Sequence, residues 1–163
     1  LMSFPMLVLA LAMVAALGPS LLNAAIAVSI PFIPRSARTI RSRALSVKEA
    51  MYIESTRAVG CSDARTILYH MLPNCLAPWL VVCTVQIASG VLVEASLSFL
   101  GLGVPPPEPS WGNMLVGAAT KYVEAAPWTA IFPGLVITVS VFSFSLLGDA
   151  LRDVLDPRMR TER

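Results

Sequence analysis

The side chains able to do covalent, metal or acid–base chemistry are few and scattered. His70 is the single histidine, nine residues from Cys61. Cys61, Cys75 and Cys83 form no Cys-x-x-Cys pair, so neither a metal-ligand set nor a disulfide framework is legible. The two lysines, Lys48 and Lys121, do not follow a glycine, and no G-x-x-x-x-G-K-[ST] occurs. The chain therefore lacks the loop that cradles nucleotide phosphates. No Ser/His/Asp set can be read, and no catalytic, metal or cofactor residue is expected in this chain. The spacing that invites attention is different. Glu54-Ser55-Thr56-Arg57 precedes Gly60, and Leu72-Pro73 closes the same segment.

The elements around that segment are set by composition. Of 163 residues, 56% are hydrophobic and 13% charged, where a soluble domain carries about 25% charged residues. No charge occurs over 1–34, 71–93 or 125–148. Each of the last two runs would make a helix about 35 Å long, enough for a hydrocarbon core of about 30 Å. Two of the three runs lie far from the N-terminus, so a secretory signal does not explain them. The composition predicts an all-α, polytopic membrane helix bundle. Cys83, inside an apolar run, is expected as a small buried side chain.

Leu17-Gly18-Pro19-Ser20 divides the first run, because Gly-Pro is a strong turn signal. The reading is a shortened span before the turn and another after it, ending near 31–35, for about four spans in all. The first run starts at Leu1 without a polar flank, which predicts an N-terminally truncated fragment. Arg35, Arg38, Arg41, Arg43, Lys48, Arg57 and Arg65 crowd one connection, and Arg152, Arg158, Arg160 and Arg163 the tail, whereas 94–124 holds only Lys121 among basic residues. Positive-inside counting places the first two on the cytoplasmic side and the third outside. A basic loop between spans is better read as a topology signal than as a nucleic-acid surface. The outer connection is rich in proline and is expected to be irregular, with Trp111 and Trp128 as interfacial aromatics.

Segment 44–73 is the informative one. Ser46-Val47-Lys48-Glu49 reads as a capping box opening a helix of about eleven to thirteen residues. Gly60 supplies a left-handed stop. Ser62 and Asp63 can open a second short helix, and Pro73 ends it or starts the next span. Tyr52, Ile53, Ile67, Leu68, Tyr69 and Met71 mix with Glu54, Arg57, Asp63 and Arg65. Two readings stay open on these residues: an amphipathic loop on the lipid surface, or a docking knob for a cytoplasmic partner.

The same residues resemble the EAA loop of ABC importer permeases, E-A-A-x3-G-x9-I-x-L-P. Glu54, Gly60, Leu72 and Pro73 stand in register, with Ser55 and Thr56 for the alanines and His70 for the isoleucine. Glu94-Ala95-Ser96-Leu97-Ser98-Phe99-Leu100-Gly101-Leu102-Gly103, Pro109-Ser110-Trp111-Gly112-Asn113-Met114-Leu115, Phe132-Pro133-Gly134 and Leu147-Gly148-Asp149-Ala150-Leu151-Arg152-Asp153 are similar to the dipeptide/oligopeptide/nickel branch, C-type subunit. The resemblance implies a type I importer permease fold over 1–163, with 44–73 as its coupling loop, in a bacterial or archaeal inner membrane. It implies a pore-forming, multi-pass subunit of an ATP-driven importer, di- or oligopeptides being the more frequent cargo. It further implies a sister permease, two ABC ATPase subunits that use ATP and Mg, an extracytoplasmic binding protein, and membrane lipid around them. Nucleic acid is not an expected partner. Glu54, Ser55, Thr56, Arg57, Gly60, Asp63, Ile67, Leu68, His70, Met71, Leu72 and Pro73 would form the ATPase-docking loop.

Glu94 follows an uncharged run and reads as an acid at the outer interface or, if deeper, as a pore or gate residue. Gly90, Ala95, Ser96 and Ser98 suit close span packing. Asp149, Arg152, Asp153 and Arg158 would anchor the last span. Two other functions compete. An ion-coupled secondary transporter should show midspan acids or broken helices, and the long runs hold no midspan charge. A membrane scaffold recruiting a cytoplasmic partner would need only the loop.

Overall fold

The computed structural model describes residues 4–118 and 124–155; Lys121, Arg158, Arg160 and Arg163 lie outside them. The described residues form helices and irregular connections without a strand, the all-α class expected. They divide into two compact units, Leu1–Pro34 with Val85–Ser145 and Arg35–Thr84 with Leu146–Arg163.

In the first unit, α1 (Met6–Leu17) and α2 (Leu21–Ser29) pack as a hairpin. Gly18 turns the chain at φ +87°, a conformation that costs an L side chain energy. Asn23 seals the turn from both sides. Its amide N–H donates to Ser20 Oγ at 3.1 Å, and its side chain donates to the carbonyls of Leu17 and Gly18 at 2.9 and 3.0 Å. Orphan groups at two helix ends are thereby paired. Ala10, Val14, Ala27, Val28 and Leu97 form the buried core of this unit. A Cβ on Gly90 would meet Val28 and Phe32 at 3.6 and 3.7 Å, the close packing anticipated for this residue.

Two stretches are long and apolar enough to cross a membrane. They are Asp63–Phe99, which includes α6 (Leu72–Phe99), and α8 (Trp128–Leu155), with mean hydropathy 2.0 and 2.1. In the most apolar window of each, only 17% and 11% of residues are buried. Helices that expose apolar side chains so broadly need lipid or partner helices around them. Helices α1 and α2 are shorter than a full span, with 12 and 9 residues.

The second unit departs from expectation at the capping box. Residues 32–48 are helical as α3 (Phe32–Lys48), so Ser46 is an interior residue and caps nothing. The next helix, α4 (Met51–Ala58), starts after an extended Ala50 that has no side-chain cap. Burial accounts for the break. Val47 and Ile53 are both buried, yet six residues apart on one helix they would face about 120° away from each other. Ser62 occupies the N-cap position of α5 (Asp63–Arg65), but its hydroxyl makes no capping bond. A π-helical stretch, Thr66–Met71, then leads directly into α6. Pro73 is the second residue of α6 and does not interrupt the helix. The proline-rich connection is irregular over 101–110, as expected, but then forms the short helix α7 (Trp111–Gly117).

Candidate functional site

Segment 51–73 folds as α4, a tight turn and the π-helical entry to α6. The turn has the hydrogen bonds of a Schellman motif. Cys61 N–H donates to the Thr56 carbonyl at 3.0 Å and Gly60 N–H to the Arg57 carbonyl at 2.9 Å, with Gly60 at φ +82°. Three orphan carbonyls at the end of α4 are thereby reduced to one, and the chain reverses within two residues. Ser55 Oγ donates back to the Met51 carbonyl at 3.1 Å, and Thr56 Oγ1 to that of Ile53 at 2.7 Å. Both hydroxyls are satisfied within their own helix, which lets Ser55 and Thr56 serve at positions where alanine stands in the EAA pattern.

Ile53 and Thr66 are buried where α4 packs on the π-helical stretch. Thr66 Oγ1 has no partner among the described residues, a cost borne where the helix is already irregular. Asn74, absent from the sequence-based set, ties the pieces together. Its side-chain amide donates to the His70 carbonyl at 2.8 Å and to the Tyr52 hydroxyl at 3.2 Å. Its only sequence signal was its place directly after Leu72-Pro73.

The outer face of this element is apolar and uncovered. Val59 is 84% exposed, Tyr69 73%, Leu68 57% and Ile67 51%, with Met51 and Leu72 also exposed. Glu54, Arg57 and Asp63 are exposed beside them, while His70 and Met71 are half-buried. Glu54 has no hydrogen-bond or ion-pair partner among the described residues. A charge and an apolar surface both left open by the chain itself are what a partner surface requires.

Glu94 lies in the first unit, inside α6 and five residues before its end, not at the helix terminus. It is half-buried, and its Oε1 accepts from Ser98 Oγ at 2.6 Å. Ser98 Oγ accepts in turn from Val104 N–H at 3.3 Å, and the Val104 carbonyl accepts from the Asn113 side chain. Ser110 Oγ caps α7 through Asn113 N–H at 3.1 Å. This chain of bonds clamps α7 against the end of α6. The approach requires glycine twice. A Cβ on Gly112 would collide with the Ala95 carbonyl oxygen and Ser98, and one on Gly103 with Ser98. A cavity of about 410–430 Å³ opens beside the clamp, lined by Leu21, Glu94, Val104, Ser110, Trp111 and Met114 among others. Ser98, Gly103, Gly112 and Asn113 were not in the sequence-based set, although Glu94 and Ser98 stand four residues apart, helical neighbours.

Residues 1–161 match the family of binding-protein-dependent transport system inner membrane components. The chain belongs to this family. Among curated relatives, a Brucella suis biovar 1 protein assigned as a peptide transport system permease is 49% identical over 99% of this chain and 54% of its own length. The dipeptide transport system permease protein DppC of Alkalihalophilus pseudofirmus is 44% identical, over 99% and 53%. The glutathione transport system permease protein GsiD of Escherichia coli O1:K1 is 46% identical, over 98% and 52%. The chain spans about half the length of these relatives. Family membership, the all-α fold and the long apolar helices agree with the membrane reading of the sequence.

Proposed function

We propose that this chain is part of a pore-forming permease of an ATP-driven importer for di- or oligopeptides. It crosses the membrane about four times, and 44–73 is its cytoplasmic coupling loop. The observation that carries the proposal is the exposed apolar face of 59–72 on a capped, doubly tied two-helix element within a member of the permease family. Two ATPase subunits would use ATP and Mg beneath this chain and a sister permease, and an extracytoplasmic binding protein would deliver cargo. Relatives named for peptide, dipeptide and glutathione transport support the peptide class.

Within this reading Ile67, Leu68 and Met71 give the apolar contact, and Glu54 is available for charge and hydrogen bonds. Nucleotide binding in the ATPases would shift the orientation of the pore through contacts that differ between states. Glu94, held by Ser98 on a cavity wall inside α6, would act in the pore or its gate. A carboxylate at that depth is costly without a functional reason. The test is uptake by the full-length parent assembled with its partners. Vanadate-sensitive uptake lost in Glu54→Ala, with membrane insertion intact, supports the proposal. Uptake that persists without the ATPases favours an ion-coupled transporter and refutes it. ATPase recruitment without any uptake would leave a scaffold.

A further inference from the structure

The second unit holds a feature that the transport reading does not use. Helix α3 carries Arg35, Arg38, Arg41, Arg43 and Lys48 and no acidic residue. Arg38, Ser42 and Ser46 follow one another at four-residue spacing, and Thr39 and Arg43 repeat it one position on, so the five share one side of the helix. With Pro78 of α6 they line a cavity of about 540 Å³. Arg38 and Arg43 have no ion-pair partner among the described residues, and the hydroxyls of Ser42 and Ser46 make no hydrogen bond there. Thr39 Oγ1 is committed as a donor to the Arg35 carbonyl at 3.1 Å. Two guanidinium groups and two free hydroxyls thus offer donors to one anion, the geometry suited to phosphate oxygens.

A second cavity, formed between the same two helices, identifies the anion's source. It measures about 190 Å³ and is lined by Ile40, Leu72, Cys75, Leu76 and Trp79. All five side chains are apolar or aromatic, and none carries a formal charge. A free phosphate has no use for such a trough, whereas an acyl chain does. Helix α6, which supplies Pro78 and Trp79, belongs to a stretch long enough to cross a membrane. We propose that α3 and the first turns of α6 bind one anionic phospholipid, its phosphate between Arg38 and Arg43 and an acyl chain along Ile40, Leu76 and Trp79. The inference requires only that the chain sits in a membrane, so it stands apart from peptide transport.

The test uses the full-length permease assembled with its partners, in nanodiscs of one part phosphatidylglycerol to three parts phosphatidylcholine. Lipid retained after delipidation is counted by native mass spectrometry. Wild type should retain phosphatidylglycerol over phosphatidylcholine, and R38Q/R43Q should lower that retention by about tenfold. The charge-matched control R35Q/R41Q removes two arginines that do not line the cavity and should lower it by less than about twofold. Equal losses in the two double variants would mean diffuse surface charge and overturn the site. So would equal retention of both lipids by wild type. Displacement of the lipid by inorganic phosphate would mean a free-anion site, and loss of the ATPases at unchanged lipid retention would mean a protein interface. If R38Q/R43Q fails to insert, the uncharged variant S42A/S46A decides, with a loss of about threefold expected and unchanged retention overturning the proposal. Vanadate-sensitive uptake by wild type is measured alongside, so failure of the lipid site and failure of the transport reading are told apart.

Discussion

Gly60 permits a prediction whose magnitude comes from the backbone alone. Its φ is +82°, and nothing lies within 4 Å of where a Cβ would be. A side chain there meets no steric neighbour, so the cost of Gly60→Leu is torsional, about 1–2 kcal/mol for an L residue in left-handed conformation. That is a factor of about 5–30 in the local opening equilibrium. The amides that report it are Cys61 and Gly60, bonded to the Thr56 and Arg57 carbonyls. In the full-length complex their hydrogen exchange should accelerate by about that factor, while amides in the middle of α8 should not change. Gly60→Asn should accelerate it far less, because asparagine tolerates the left-handed region. Uptake should fall in the same order, with insertion intact, since the turn lies outside the apolar stretches. If Asn and Leu were equally damaging, the cost would not be torsional and the account would fail. If Leu left both exchange and uptake unchanged, the turn would not be what holds α4 to the rest of the loop.

Gly112→Ala should destabilise the clamp by about 1–3 kcal/mol, because the added methyl meets backbone that cannot swing aside; thermal unfolding of the detergent-solubilised complex measures it, and an unchanged midpoint would contradict the packing. Glu94→Gln, which keeps the shape and the capacity to accept from Ser98, should reduce uptake with little change in thermal stability; normal uptake would remove Glu94 from the pore. Tyr52→Phe deletes one exposed hydrogen bond to Asn74 and should cost about 0.5–1.5 kcal/mol at most, read as faster exchange around Asn74; Asn74→Ala loses the His70 contact too and should exceed it. Cysteine at Glu108 should label from outside and Cys61 only from the cytoplasm; inverted labelling would reverse the orientation, as would the same experiment at Lys121, which lies outside the described residues.

Signals carried by backbone necessity were legible before any coordinates. The Gly18-Pro19 turn and the Gly60 stop rest on what only glycine does cheaply, and the charge-free runs fix where long apolar helices can lie. The capping box at Ser46 failed because its pattern is local, and burial of Val47 and Ile53 set the break three residues later. Asn74, Ser98 and Asn113 were invisible because their partners, Tyr52, Val104 and the carbonyl chain around them, come together only in the folded chain. The basic residues of α3 were seen as a topology signal. Their helical register against Pro78 could not be seen, since two helices supply it.

The order of stiffness along the coupling element bears on how it could work. A partner pushing on Leu68 or Tyr69 acts first on the π-helical stretch, which continues into α6 without a loop. On the other side, α4 is held to that stretch by buried Ile53, by the Gly60 turn and by the Tyr52–Asn74 bond. If those ties open more readily than the pore changes state, a push is absorbed as local unfolding and nothing is transmitted. Coupling therefore demands that the ties together exceed the free energy separating the pore states. Each tie alone is small, about 1 kcal/mol for a hydrogen bond of this kind. Removing two of them at once, in Gly60→Leu combined with Asn74→Ala, should thus uncouple ATP hydrolysis from uptake more than the product of the single effects. A purely additive loss would mean that the two ties do not share one element.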